Sequence, residues 1–441
     1  MKIASTEMAT EDYRHFKNSG VEWIGRIPNH WQINRLASFG RFSKGGGISK
    51  EELAPEGVPA ILYGDIYTKY DISITNVCHK VTLEIARKSK EISRNSLLFT
   101  GSGETIEDIG KCVVYLNDIP AFVGGDIIVF EQTENDSLFL SYALNTNGAR
   151  YEKARFSKGE IVVHTYASKL KDIYIPIPPK KEQRAIAKFL WRKTSIIKQA
   201  IDIKEKQIEL LEERMQILIY EAITRGLDSN VRMKDTGVQW IGTIPDHWQV
   251  VANRTLFEER NEPGNDSLPI LSVSIHTAVS EEELGDDQNV RGKVRIEDKS
   301  SYKRVYINDI AFNMMRAWQG AIGVVHTEGM VSPAYIVAKP IGPIVGDYLE
   351  FQYRTNAFIQ QMDRFSKGIT DFRKRLYWAE FKQLLTILPP IEEQAEIIEF
   401  VVQLTKRTDR VVKQKEKEIE KLKEYKATLI NSAVTGKIKV T

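Results

Sequence analysis

The chain has 441 residues, 42% of them hydrophobic and 27% charged, with a formal net charge of +3. That length suits two or three domains, each large enough to bury a core. The small net charge excludes a generic polycation, so any nucleic-acid surface has to be a local basic face. No apolar run approaches the ~20 residues of a membrane span, and the acid-bearing N-terminus MKIASTEMATEDYRHF has no signal-like apolar core. Cys78 and Cys112 have neither metal-type spacing nor disulfide density. Cytoplasm is the expected compartment, and no membrane partner is expected.

Taken from the N-terminus, residues 1–180 read as mixed α/β with many short strands: 58–63, 96–100, 112–116 and 126–130 are β-branched or aromatic runs with turn formers nearby. GVEWIGRIPNHWQ stands at 20–32. The strand-like TyrIleProIle ends at Pro178-Pro179, which excludes helix before it and favours helix after it. A helix is predicted from about Lys181 to Arg225, stopped by Gly226. The sequence then starts again. GVQWIGTIPDHWQ at 237–249 matches the first motif at 10 of 13 positions. Strand-like runs return at 268–273, 309–313, 321–325 and 334–337. ArgPheSerLysGly at 155–159 recurs at 364–368, and Pro178-Pro179 with Glu182-Gln183 recurs as Pro389-Pro390 with Glu393-Gln394. A second helix is predicted from about Glu392 to Val434, stopped by Gly436. Landmarks repeat after roughly 210 residues, a tandem-domain period rather than a solenoid one. The divisions are 1–180, 181–227, 228–390 and 391–441. The fold class is α+β: two similar mixed α/β domains separated by two long helices, with a pseudo-twofold internal repeat.

Both helices carry a heptad. Ile197, Ile201, Lys204, Ile208, Leu211, Met215, Leu218 and Ala222 step by four and three, and Thr408, Val412, Lys415, Ile419, Leu422, Lys426, Leu429 and Ala433 follow in the same phase. Such stripes need a partner helix. The economical partner is the other helix of the chain, paired antiparallel; the alternative is packing on each helix's own domain or on another subunit. Lys204 and Lys415 fall near the middle of such a pair, so acids such as Asp202, Glu205 or Glu416 are expected beside them. Each helix of about 45 residues spans about 65–70 Å, long enough to act as a ruler between two domains.

Catalytic signatures are sparse. Phe99-Thr100-Gly101-Ser102-Gly103 has the F-x-G-x-G shape of a methyltransferase cofactor loop, a weak motif alone. The repeat-equivalent stretch Asn313–Gly320 lacks the glycines, and neither ProPro pair has the Asn/Asp-Pro-Pro-aromatic form that holds a target amine. Gly110-Lys111-Cys112 is not a phosphate loop, and the seven histidines show no metal spacing. His30 and His247, with Trp23, Trp31, Trp240 and Trp248, read as packing and turn residues.

The repeated GlyVal-x-TrpIleGly-x-IlePro-x-HisTrp motif, AlaPheAsnMetMetArgAlaTrpGlnGly at 311–320, ValSerProAlaTyr at 331–335 and the two ProPro-x-x-GluGln junctions resemble the specificity (S) subunits of type I DNA restriction-modification systems. The resemblance covers nearly the whole chain. It implies two target-recognition domains, each reading half of a bipartite asymmetric sequence in double-stranded DNA. It implies an antiparallel coiled coil that sets the gap between the half-sites. It implies no catalysis and no cofactor in this chain; two methyltransferase (M) subunits bring S-adenosylmethionine, and motor-nuclease restriction (R) subunits join for cleavage. Two alternatives stay open: a self-contained adenine methyltransferase using 99–103, and an orphan DNA-binding scaffold.

Base readout needs paired donors and acceptors on exposed loops. In the second domain Arg316 and Gln319 lie in a Gly-ended loop, with Trp318 as loop core. The basic run containing Lys367, Thr370, Arg373, Lys374 and Tyr377 suits a phosphate-tracking edge. Ser272, Ser274 and His276 alternate along a strand end. The first domain offers Lys44 before three glycines that let backbone approach a phosphate, then Tyr63, Asp65 and Tyr67 at the matching strand end. Ser102, Glu104 and Thr105 fill the matching loop, and Lys158, His164 and Tyr166 match the basic run. Arg316 equally suits a phosphate clamp, and Glu104 a solvated face.

Overall fold

A computed structural model describes residues 13–103, 110–155, 163–265, 267–281, 301–368 and 374–440. The chain divides into two compact units, residues 1–205 with 416–441, and residues 206–415. Ten helices are named here among the described residues: α1 Tyr63–Thr68, α2 Leu83–Ala86, α3 Ser137–Leu144, α4 Asn147–Arg155, α5 Ala167–Leu170, α6 Lys180–Arg225, α7 Gly346–Tyr353, α8 Asn356–Phe365, α9 Trp378–Phe381 and α10 Ile391–Val434. None is long and apolar enough to cross a membrane.

In the first unit, one sheet runs Arg41–Lys44, Ile127–Glu131, Leu97–Thr100, Cys112–Tyr115 and Ser73–Ile74. The other runs Leu53–Ala54, His79–Val81, Val58–Ile61, Ala121–Val123 and Lys90–Ile92. The central strands of the first sheet are apolar at successive positions because both their faces are covered. Leu98, Val113 and Val129 point at the second sheet, among Ile61, Ile92 and Val123. Leu97, Phe99, Val114 and Phe130 point the other way. There they meet Phe139 and Tyr142 of α3, Ile186 and Leu190 from the start of α6, and Ile430, Ala433 and Val434 from the end of α10.

The second unit repeats the plan with two four-stranded sheets. One runs Phe257–Glu259, Tyr335–Pro340, Ile310–Asn313 and Ile322–Val324; the other runs Ala278–Glu281, Ile270–Ser274, Gly329–Val331 and Lys303–Val305. Leu271, Val305, Ala311 and Val337 fill the space between the sheets. Phe312 and Ile336 face Tyr348 and Tyr353 of α7, Phe358 and Met362 of α8, Ile397 and Val401 from the start of α10, and Ala222 and Ile223 from the end of α6. Each globular body therefore holds the start of one long helix and the end of the other.

The two repeated motifs meet each other. Gln32–Arg35 pairs antiparallel with Tyr174–Ile177, the strand that leads into Pro178-Pro179. Glu182, in the first turn of α6, accepts from Tyr13 Oη at 2.7 Å and Trp31 Nε1 at 3.1 Å, with His30 Nε2 at 2.7 Å. Gln183 donates to the Pro178 carbonyl and accepts from the Asp136 amide that precedes α3, both at 2.8 Å. In the second unit Gln249–Ala252 pairs with Leu385–Leu388. Glu393 accepts from Trp248 Nε1 at 2.7 Å and contacts His247 Nε2, while Gln394 donates to the Pro389 carbonyl at 2.9 Å and accepts from the Val345 amide at 3.0 Å. The helix ends close on the same tryptophans. Gly436 has φ +72°, and a Cβ there would lie 2.4 Å from Pro28 Cδ and 3.1 Å from Trp31 Cη2. Gly226, at φ +80°, is 3.1 Å by the same measure from Trp248 Cζ2.

The long helices form an antiparallel coiled coil. The expected seam residues of α6 and α10 are all buried or half-buried. Lys204 Nζ pairs with Glu418, and Lys415 Nζ donates to Gln207 Oε1 at 2.7 Å. Three residues up one helix correspond to three down the other, the register of antiparallel partners. The acid at mid-coil is Glu418 rather than Asp202, Glu205 or Glu416. Lys426 of the expected seam leaves it to pair with Asp71 on the first globular body.

Burial of Glu182 opposes its ionisation, but the hydrogen bonds from Tyr13, His30 and Trp31 outweigh this and hold its pKa below the usual carboxylate range. A depressed folded-state pKa contributes stability above the unfolded value of about 4.3 that is lost as pH falls through and below it. Glu182→Gln is expected to lower unfolding stability by about 1–2 kcal/mol at pH 7 and to flatten the loss seen on acidification below about pH 5. Denaturant titrations of both proteins across pH 3–7 would check this; parallel pH profiles would rule out Glu182 as the titrating group.

Candidate nucleic-acid interface

In the second unit the structure gathers three candidate segments. After the strand Ile310–Asn313 the chain makes a short 3-10 turn, Ala317–Gln319, closed by Gly320 at φ 95°. Ala317 is buried beneath it, and Arg316 and Gln319 are exposed. Trp318 Nε1 donates to the Met315 carbonyl at 2.9 Å, so the indole braces the loop. The Leu376 amide donates to the Met314 carbonyl at 2.9 Å, which ties this loop to the basic run. That run is closed at its base by mutual backbone bonds between Lys367 and Arg375. Lys374 Nζ lies 5.1 Å from the Trp318 ring centre and 2.6 Å from Asp363 Oδ1. Lys367 Nζ pairs with the buried Glu380. Tyr377 is exposed at the N-terminus of α9. Thr370 and Arg373 lie outside the described residues.

The third segment is the turn after Ile270–Ser274. Ser272 is half-buried and pairs in register with Ser280. Ser274 Oγ accepts from the His276 amide at 3.2 Å and the Thr277 amide at 2.9 Å, so its hydroxyl shapes the turn and presents His276 to solvent.

The first unit departs from expectation at two places. Tyr63, Asp65 and Tyr67 do not continue a strand; they form α1. The reason is Asp65, whose Oδ2 accepts from the Leu62 amide at 3.1 Å across the first turn. Its Oδ1 lies 2.8 Å from Lys69 Nζ and 3.2 Å from His79 Nε2, so the buried carboxylate is engaged internally. Tyr63 stays exposed and meets Tyr67 edge-on at 6.4 Å. The glycines after Lys44 also have a packing reason. Gly45 donates to the Ile127 carbonyl and Gly46 to that of Val123, and a Cβ on Gly45 would sit 2.1 Å from the Gly124 oxygen. Lys44 itself is exposed at the sheet edge.

Ser102 and His164 are backbone partners in a two-stranded ladder, and the Thr165 amide donates to the Gly101 carbonyl at 2.9 Å, which joins this loop to exposed Tyr166. Glu104, Thr105 and Lys158 lie outside the described residues. The Phe-x-Gly-x-Gly shape reduces to sheet packing: Phe99 is fully buried and the Gly101 amide donates to the Asp126 carbonyl at 2.8 Å. No cluster of His, Cys, Asp and Glu able to hold a metal occurs among the described residues.

Sequence reasoning missed Lys153. Its ammonium is buried and donates to the carbonyls of Gly110 and of Leu144, the latter at 2.7 Å. Burial pulls its pKa down to about 7 and pushes the neighbouring Cys112 thiol up to about 12. ArgPheSerLysGly at 155–159 aligns with 364–368, and the same offset places Met362, also fully buried, at this position in the second copy. A lysine where the repeat has a methionine was the available signal.

Residues 28–213 match the family model for the type I restriction modification DNA specificity domain. A Methanocaldococcus jannaschii protein named as the putative type I restriction enzyme MjaX specificity subunit is 24% identical over 95% of this chain and 96% of its own length. The Escherichia coli type I restriction enzyme EcoBI specificity subunit is 26% identical over 63% of this chain and 61% of its own. The chain is thus similar to type I restriction enzyme specificity subunits, over residues 28–213 by the family model and over nearly its whole length by the MjaX relative. Solved structures agree on the fold. A chain from a type I R-M system, studied for complex assembly and conformational transition, superposes with a TM-score of 0.65 at 12% identity, covering 92% of this chain and 98% of that one. The HsdS subunit from Thermoanaerobacter tengcongensis superposes with a TM-score of 0.53 at 13% identity, covering 93% and 98%.

Arg316 is exposed in this loop, and we propose it as a bidentate base contact. Arg316→Ala is expected to cost about 1–3 kcal/mol of binding and to relax the requirement at one base pair. Competition binding against single-substituted duplexes would check it, and a uniform loss over all sequences would demote Arg316 to a phosphate contact.

Proposed function

We propose that this chain is the non-catalytic, sequence-specific DNA-binding subunit of a type I restriction-modification complex in the cytoplasm. The observation that carries the reading is a frame repeated inside one chain, with the loops at equivalent places changed. Both units keep the Trp–Glu junction, while Arg316 and Gln319 have no counterpart in the first unit's loop. Two identical readers would see a palindrome, because protein symmetry is copied into DNA. Two diverged readers on one chain see an asymmetric, two-part sequence. Residues 1–180 and 228–390 are the recognition domains, and 181–227 and 391–441 the spacers.

The 46 residues of α6 give it a length of about 69 Å, enough for half-site centres about one DNA turn apart. The helices fix that gap and dock two methyltransferase subunits, which supply S-adenosylmethionine and methylate adenine; restriction subunits join for cleavage. The methyltransferase alternative finds no support, since Phe99 and Gly101 of the glycine loop it relied on are accounted for by packing.

The test is a methylome. The chain is co-expressed with its methyltransferase subunit in a methylation-free host, and modified adenines are mapped. A bipartite asymmetric motif with a fixed unread gap is expected, and exchanging residues 228–390 for those of a relative should change one half only. A continuous motif, or none, would overturn the reading.

A further inference from the structure

Arg354 is the C-cap residue of α7, and Thr355 beside it is the N-cap of α8. It is half-buried. Its guanidinium is directed at backbone. Nη2 donates to the Ile275 carbonyl at 2.7 Å and to the His276 carbonyl at 3.2 Å, and Nη1 reaches the Ile322 carbonyl at 3.5 Å. The first two carbonyls belong to the turn that carries exposed His276 and Thr277. The third opens the strand that follows the Arg316–Gly320 loop, where the Ala321 amide donates back to the Arg316 carbonyl at 3.1 Å. One side chain thus links a candidate readout turn to the strand that follows another candidate loop, far apart in sequence.

The turn needs such a brace. Ala278, at its exit, has φ +53°, a left-handed conformation that a non-glycine residue adopts at a cost. Ser274 fixes the turn from within, and Arg354 fixes it from below. The internal repeat supplies a control. The residue equivalent to Arg354 in the first unit is Asn145, which bonds to the Cys112 amide at 3.1 Å, the Cys112 carbonyl at 2.6 Å and the Ser141 carbonyl at 2.8 Å. The fold therefore asks for a polar link between this helical corner and the adjacent strand. Asn145 provides that link alone; Arg354 adds the reach to the turn.

We propose that Arg354 is a positioning residue for base recognition by the second domain. It locks the Ile275–His276 turn to the strand behind the Arg316 loop, so that both present their side chains to one half-site at fixed separation. This rests on the DNA-reading function proposed above. A guanidinium is suited to the role because its planar fork serves several carbonyls at once, which an ammonium does not match geometrically.

The test uses the full complex with methyltransferase subunits and duplexes carrying its mapped target. Binding is measured for the intact target and for every single-base substitution, with wild type, Arg354→Met and Arg354→Lys, alongside thermal unfolding. Arg354→Met is expected to reduce discrimination about ten-fold at positions of the second half-site, to leave the first half-site's discrimination unchanged, and to be partly rescued by Arg354→Lys. Should Arg354→Met be too unstable to assay, Arg354→Lys alone is read, with a smaller loss confined to the same positions. Weaker binding to all duplexes with second-site discrimination intact would overturn the proposal and leave Arg354 a fold-stabilising residue. His276→Ala and Arg316→Ala separate the two levels. If they alter base preference and the Arg354 variants do not, the positioning role falls alone. If none of the variants alters base preference, the reading of DNA by these loops falls with it.

Discussion

A fully buried indole must find a partner for its one N–H, and here Trp31 and Trp248 find it in a carboxylate at the start of a long helix. Leaving that donor unpaired would cost about 1–3 kcal/mol. The helix also gains, because a negative charge in its first turn opposes the positive end of the macrodipole. Glutamine at the next position closes the junction by bonding the carbonyl of the first proline of each pair and the amide that opens a neighbouring helix. These few polar contacts, set within apolar packing, fix the angle at which a helix of more than forty residues leaves a globular body. A small error at that junction would be magnified along the whole helix.

The junction also explains where the repeats may differ. Strand interiors are buried on both faces, so their composition is held to apolar residues in both units. The loops at the strand ends carry no such constraint, and there the copies diverge: a 3-10 turn with Arg316 and Gln319 in one, a longer glycine-bearing segment in the other. Cations have diverged as well: buried Lys153 bonds the Gly110 carbonyl in the first unit and half-buried Arg354 the Ile275 carbonyl in the second, from different positions of equivalent helical pairs.

The frame was legible in the sequence because its signals are local or periodic. Proline pairs, stop glycines and heptad stripes from Ile197 to Ala222 and from Thr408 to Ala433 place α6 and α10. β-branched runs place the central strands. Short structure was less legible: α1 has six residues, too few to show a helical period, and follows a strand without a break. The glycines after Lys44 looked like room for a ligand, yet Gly45 makes room for Gly124, and Gly46 and Gly47 lie against Lys88. The motif-to-motif contact between Trp31 and Glu182 was hidden because its partners are 151 residues apart. Lys153 and Arg354 were missed for the same reason: their roles lie in carbonyls 43 and 79 residues away. Periodicity reports which face a side chain occupies and not what it will meet there.

The first unit is assembled from two stretches of chain, residues 1–205 and 416–441, whereas the second is continuous from 206 to 415. On a ribosome these units finish in the opposite order to their numbering. The second has its whole complement once residue 415 emerges. The first must wait, its Trp31 surface uncovered, until Ile430, Ala433, Val434 and Gly436 are synthesised. The unit that begins earlier in this chain is thus the later one to have all its residues, its core waiting on the last turns of α10.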